Sequence, residues 1–247
     1  MFERIFVSAG HGEKGTRKDP GAVTDNVITP ELGDIATERA INVICAREVV
    51  KVLGSRAIGI GIDEDLTLEE KILKINRICG DRQYTVRDTL LIEIHVDYSG
   101  APSGFGAYFY RGSSTSAAFG QKIIDTMAEK LPPRKALWLR PDSFSNYGSL
   151  GIVKNTIPLA ALIEIGGVKV DLSTLYGDAV LDEAAAIAEG IRAYAGWPTP
   201  VPIEPDPDIK QAMGLISSAW KDIANAAALN ASAQVKMNQA NTILRNP

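Results

Sequence analysis

The sequence predicts an α/β protein: a mixed, mostly parallel sheet of about six strands flanked by helices, followed by a C-terminal helical segment. Three observations carry this prediction. Strand-like and helix-like stretches alternate as far as residue 195, several of the strand-like runs are apolar almost throughout, and a proline-dense stretch then separates this region from the rest of the chain. Strands buried on both faces by helices lose the in/out alternation of half-exposed strands, so continuous apolar runs point to a largely parallel sheet.

The elements follow in order. RIFVSA at 4–9 is the first strand, and TERAINVICAREVVKVL at 37–53 spaces its apolar side chains at the helical period. AIGIGI at 57–62 is a second strand, and a helix is expected over 66–79. The run 89–96, containing LLIEI, and the run 106–110 are joined by DYSGAPSGF, which is too short for a helical crossover, so these two strands are expected to be antiparallel neighbours. A helix over 114–131, strands at 136–140 and 158–165, and a helix over 181–195 complete the series.

Beyond Gly196, WPTPVPIEPDPD places five prolines in twelve residues, which excludes regular helix or central strand and reads as a semi-rigid linker. The expected organisation is therefore a domain over 1–196, a linker over 197–208 and a helical tail over 209–247. In the tail Ile209, Met213, Ile216, Trp220, Ile223 and Ala227 alternate spacings of four and three, the seam of a helix pair or short coiled coil. The seam continues through Asn230, Gln234, Met237, Asn241 and Leu244, where it becomes more polar. Two occupants fit it: a second copy of the chain, giving a homo-oligomer, or the protein's own domain.

Composition narrows the function. With 45% hydrophobic and 23% charged residues the chain can build a sizeable core. A net charge of −4, with basic groups no larger than TRK and PPRK, argues against a nucleic-acid partner. No apolar run approaches the roughly 20 residues a membrane span needs. The opening MFERIFVSAGHGEKG carries no apolar signal region or small-residue cleavage site, so the expectation is synthesis in the cytoplasm without a signal peptide. Cys45 and Cys79 read as buried or incidental thiols, with no ligand spacing.

The chain has only two histidines, His11 and His95, and each sits where an apolar strand ends, the edge at which α/β sheets bind ligands. Glu38 opens the first long helix, a position favoured by the helix dipole, from which its carboxylate can reach over the strand ends; Asn42 lies one turn later on the same face. A zinc ion held by His11, Glu38 and His95 would keep its fourth position open, as catalytic zinc does. Glu164, in the apolar run PLAALIEIGG, is an ionisable residue that burial makes costly unless it is paired, protonated or functional; beside such a metal it is a candidate general base. Glu93 is a weaker candidate on the His95 face.

The ordered series AGHG (9–12), DPGA (19–22), Glu38 with Asn42, a helix bearing Asn76, EIHVD (93–97), GAYFYRGSSTS (106–116), RPDSFSNYGSLGIVKNT (140–156) and PLAALIEIG (158–166) resembles the zinc-dependent N-acetylmuramoyl-L-alanine amidases of the type-3 amidase family, over roughly residues 4–195. The resemblance implies one Zn2+ on His11, Glu38 and His95, Glu164 as catalytic glutamate, and peptidoglycan as substrate. The reaction it implies is hydrolysis of the amide between the lactyl group of N-acetylmuramic acid and L-alanine, with zinc polarising the carbonyl and lowering the pKa of a water toward about 7.

Three positions depart from the family pattern. Glu93 stands where serine is common and adds a negative charge near the metal; Gly167 replaces a large apolar residue after Gly166 and leaves a wall of the cleft more open; Asp97 stands where asparagine is common, placed to orient His95 or nearby backbone. The short connection 97–105 leaves no room for the inserted helix that plugs the site in some members. The expected protein is a cell-wall amidase of phage-lysin or injection-device type, acting on the wall after release or delivery. The alternatives are a zinc peptidase of the stem peptide and a non-catalytic wall-binding or assembly protein of the same fold.

Overall fold

A computed structural model describes residues 2–12, 21, 38–97, 104–134, 136–167, 171, 175 and 178–198. The strands are β1 (Arg4–Ala9), β2 (Ala57–Ile60), β3 (Thr89–Asp97), β4 (Gly104–Phe109), β5 (Ala136–Pro141) and β6 (Leu159–Gly167). The helices are α1 (Glu38–Leu53), α2 (Leu68–Arg82), α3 (Ser114–Lys130), a single turn α4 (Gly151–Lys154) and α5 (Asp178–Ala195). Every strand and long helix expected within residues 4–195 is present among the described residues. The turn α4 and the 3₁₀ turns at Gly54–Arg56 and Asp142–Phe144 are additional, being too short to show a period in the sequence.

The sheet order is β2-β1-β3-β6-β4-β5. β2, β1, β3 and β6 run parallel; β4 is antiparallel to β6 and parallel to β5. The expected reversal between 89–96 and 106–110 is therefore real, but the two strands are not neighbours, because β6 lies between them. Connection length constrains relative direction; adjacency follows burial. Eight of the nine β6 residues are buried, whereas β4 is only half so, and the more apolar strand takes the inner place.

Alternate residues along each strand feed two cores. On one face Ile5, Val7, Leu90, Ile92, Ile94, Ala161, Ile163 and Ile165 pack beneath α1, α3 and α5 through Ile41, Cys45, Phe119, Ile123, Ala184 and Ile187. On the other, Phe6, Leu91, Ala160 and Leu162 meet Ile75 and Cys79 of α2 and Ile152 and Val153 of α4. Toward the carboxyl edge of this second face the apolar series gives way to Ser8, Glu93, His95 and Glu164. Both cysteines are buried free thiols. A capping box fixes the start of α2: the Thr67 hydroxyl accepts from the Glu70 N–H and the Glu70 carboxylate accepts from the Thr67 N–H at 2.9 Å.

Trp197, where the proline-dense stretch begins, belongs to this packing. Its ring is buried, and Nε1 donates to the Phe2 carbonyl at 2.8 Å. The linker beyond Pro198 and the tail over 209–247 lie outside the described residues, as do the DPGA residues other than Gly21 and most of the 97–105 connection. Among the described residues no helix is long and apolar enough to cross a membrane.

A buried ion cluster ties the elements behind the site. Arg134, just before β5, pairs with Asp171 at 3.1 Å and with Glu183 of α5, and the other Asp171 oxygen accepts the Gly167 N–H at 2.8 Å. Replacing Arg134 by Met strands two buried carboxylates without a cation. A loss of about 3–5 kcal/mol in unfolding free energy is expected by denaturant titration; a loss below about 1 kcal/mol would show that the cluster does not hold this end of the sheet.

Candidate active site

Parallel pairing brings the site together. Ala9 of β1 is paired with Ile94 of β3, so His11, two residues beyond Ala9, lies beside His95. On the other side of β3, His95 is paired with Glu164 of β6, and the two side chains share a face. Glu38 comes from α1 on the opposite face of the sheet and reaches over its edge, where its Oε1 accepts the Val96 N–H at 3.1 Å.

That same Oε1 lies 3.0 Å from His11 Nε2 and 2.9 Å from His95 Nδ1. The two rings meet edge to face, with centroids 4.8 Å apart. One ligand atom from each of the three residues falls within 4.8 Å of the others. Metal–nitrogen bonds of 2.0–2.1 Å in a tetrahedral site put neighbouring ligand atoms about 3.3 Å apart, so the trio fits a single divalent ion with little movement. Closeness here depends on Gly10, since a Cβ at that position would lie 2.5 Å from the His95 ring. His11 itself adopts φ 60°, a left-handed conformation uncommon outside glycine.

The remaining candidates fall into two groups. Glu93, Asp97 and Asn42 surround the trio: Glu93 Oε2 lies 3.3 Å from His95 Nε2, Asp97 lines the cavity, and Asn42 donates to the Gly10 carbonyl at 3.5 Å. Asn76, Gly166 and Gly167 lie elsewhere. The Asn76 amide bridges the Asn155 carbonyl and the Ile157 N–H, at 2.8 and 2.9 Å, tying α2 to the approach to β6. Gly166 and Gly167 are buried against Asp171 and are not among the described residues that line the cavity.

A cavity of about 540 Å³ opens over the trio, bounded by Asp97, Tyr108, Ser145, Tyr147, Leu150 and Glu164. A second, of about 680 Å³, shares His11, His95, Tyr147 and Leu150 and extends along the start of α2. Tyr108 packs edge to face on Trp138 at 4.8 Å, and Tyr147 is 85% exposed at the rim. Sequence reasoning missed Tyr108, Tyr147 and Lys71. The tyrosines lie inside motif segments without a distinguishing spacing. Lys71 did carry a signal, since it stands at the helical period of buried Ile75 and Cys79.

Burial alone would raise the Glu38 carboxyl, but hydrogen bonds from both histidines hold it well below the usual carboxylate range. Glu93 is likewise driven up by burial and pulled below its ordinary value by Lys71 and His95. For His95 burial works downward, and the hydrogen bonds to Glu38 and Glu93 prevail and raise it. Glu164 goes the other way: burial, with Glu38, Asp97 and Glu93 adding to it against the opposing His95, pushes its pKa to about 8. Its Oε2 is buried with no hydrogen-bond partner among the described residues.

A carboxyl that holds its proton more tightly in the folded chain than in the unfolded one loses stability as pH rises between the two pKa values. With a chelator present, Glu164→Gln is therefore expected to melt above wild type, by a margin that grows from pH 4.5 to about pH 8 and then levels. Thermal unfolding across that range checks this, and a margin independent of pH would overturn it.

The structure resembles solved N-acetylmuramoyl-L-alanine amidases. AmiC2 of Nostoc punctiforme matches with 20% identity, covering 78% of this chain and 98% of that one, at a TM-score of 0.60. The enzyme from Clostridium difficile 630 matches with 15% identity over 79% and 97%, at 0.62. The catalytic domain of the CD27L endolysin targeting Clostridia difficile matches with 19% identity over 77% and 97%, at 0.54. At these identities the likeness establishes the fold. Comparison with curated protein sequences gives no match. The family model for N-acetylmuramoyl-L-alanine amidase, however, matches residues 5–193, a span that takes in His11, Glu38, His95 and Glu164, and the chain belongs to this family of peptidoglycan-cleaving hydrolases.

Proposed function

We propose that His11 Nε2, a Glu38 oxygen and His95 Nδ1 hold one zinc ion, and that Glu164 is the general base for hydrolysis of the amide between N-acetylmuramic acid and L-alanine. The observation that carries this is the convergence of three ligand atoms on one point of a cavity whose wall holds a carboxylate with an unpartnered oxygen. When bound, zinc supplies Lewis-acid polarisation of the scissile carbonyl and acidifies a coordinated water.

The chain's own groups do the rest. Two neutral imidazoles and one carboxylate would hold the ion beside the cavity that Glu164 lines. Glu164 takes the proton of the attacking water at Oε2. Burial that holds this proton tightly also makes the ionised carboxylate a strong base, and suits it to pass the proton to the departing alanine nitrogen. Tyr108 and the exposed Tyr147 flank the cleft, giving sugar rings and stem peptide an amphipathic surface.

Mass spectrometry of muropeptides released from peptidoglycan tests the reading. Free muramic lactyl groups together with new alanine amino termini are expected, and chelation should abolish both. Cleavage inside the stem peptide would instead identify a peptidase. Glu164→Ala should lower kcat about 10²–10⁴-fold while metal content stays at one ion per chain. Turnover near wild type would show that Glu164 is not the general base.

A further inference from the structure

Lys71 is the unexpected residue in this structure. It lies in the first turn of α2 with its side chain 2% exposed, and all three ammonium protons have acceptors. Nζ donates to the Ala9 carbonyl, to the His11 carbonyl at 3.0 Å and to Glu93 Oε1 at 3.2 Å. Glu93 Oε1 also accepts from the Ser8 hydroxyl at 3.1 Å, which leaves Oε2 to face His95 Nε2 at 3.3 Å. The fold makes room for this arm: Gly61 has φ +61°, and a Cβ there would lie 2.9 Å from Lys71 Cε.

From this network we infer that Lys71 and Glu93 are positioning residues for both histidine ligands, an inference that rests on the metal site proposed above. Two routes lead from the one ammonium. Through Glu93, it fixes which carboxylate oxygen faces His95. That oxygen accepts the Nε2–H and so turns the unprotonated Nδ1 toward Glu38 and His11, the tautomer a metal requires. Through the backbone, it holds the carbonyls on either side of Gly10, including that of His11, whose left-handed conformation needs such restraint. Lys71 also neutralises Glu93, so the acidic residue at 93 adds an acceptor to the site rather than an unbalanced charge.

Charge and positioning predict opposite signs for one substitution. Removing a cation next to a bound dication should tighten binding if charge alone matters; if Lys71 positions the ligands, its removal should weaken binding. The test uses the full chain, with zinc affinity measured by competition against a chromophoric chelator and site geometry by the visible spectrum of the cobalt-substituted protein. Lys71→Met and Glu93→Ala, which remove opposite charges, are both expected to weaken zinc ten- to a hundredfold and to alter the cobalt bands. Glu93→Gln should do no better than Glu93→Ala, because Lys71 and Ser8 claim its only acceptor and its amide N–H₂ then faces His95.

Zinc bound by Lys71→Met as tightly as by wild type, with an unchanged cobalt spectrum, would overturn the inference. Should that variant not fold, the two Glu93 variants decide: weaker zinc with unaltered cobalt bands means a charge effect and overturns it equally. A wild-type chain that binds no zinc would bring down the metal site itself, whereas zinc-binding wild type with indifferent variants would bring down only the role of Lys71 and Glu93.

Discussion

The position of β3 between β1 and β6, parallel to both, is the constraint on which the site depends. Parallel strands deliver their carboxyl ends to one edge of a sheet, so the residues that follow Ala9, Ile94 and Ile163 arrive there together. Had β4 taken the place beside β3, as the short connection between them invites, Glu164 would not lie opposite His95. The inner place goes to β6 because it is the more apolar strand, so the burial that stabilises the sheet also brings the candidate base to the candidate ligands. Glu38 enters from the far side of the sheet, held by the Val96 N–H at the same edge.

Three glutamates crowd this edge, and their surroundings drive them apart. Glu38 is answered by two imidazoles and Glu93 by Lys71, Ser8 and His95, and both stay ionised. Glu164 has one buried oxygen without a hydrogen-bond partner among the described residues and feels its acidic neighbours, which together with burial raise its pKa to about 8. Like groups pushed to opposite ends of their range are the usual mark of divided roles, in this case ligand support against proton transfer. Burying these charges is costly, and the two imidazoles beside Glu38 and the network of Lys71 around Glu93 are what offset it.

Much of the fold was legible in the chain because its signals are local. Apolar runs such as LLIEI and LAALIEI and the helical period of 37–53 and 114–131 depend only on nearby residues, and the structure reproduces those elements almost to their ends. Asn76 shows where such reading stops: its place on the helix was apparent, but that its amide would clamp Asn155 and Ile157 depends on a segment some eighty residues away. Gly167 teaches the same point, since whether a glycine opens a cleft or packs against an aspartate is settled by what the chain does next. Lys71 went unremarked in the sequence, where only the period it shares with Ile75 and Cys79 sets it apart from the other charges of its helix.

By itself the sequence determined the α/β class, the order of its elements and the short roster of residues able to bind a metal, because periodicity and residue chemistry are written locally and histidine is scarce in this chain. Only the tertiary structure decided that β6 lies next to β3, that Glu38 bridges both imidazoles, and that one buried lysine reaches the backbone of one ligand and the carboxylate behind the other. Those are contacts between residues about twenty to seventy positions apart. They are selected by which surfaces must be buried together, a competition that no local stretch of chain records.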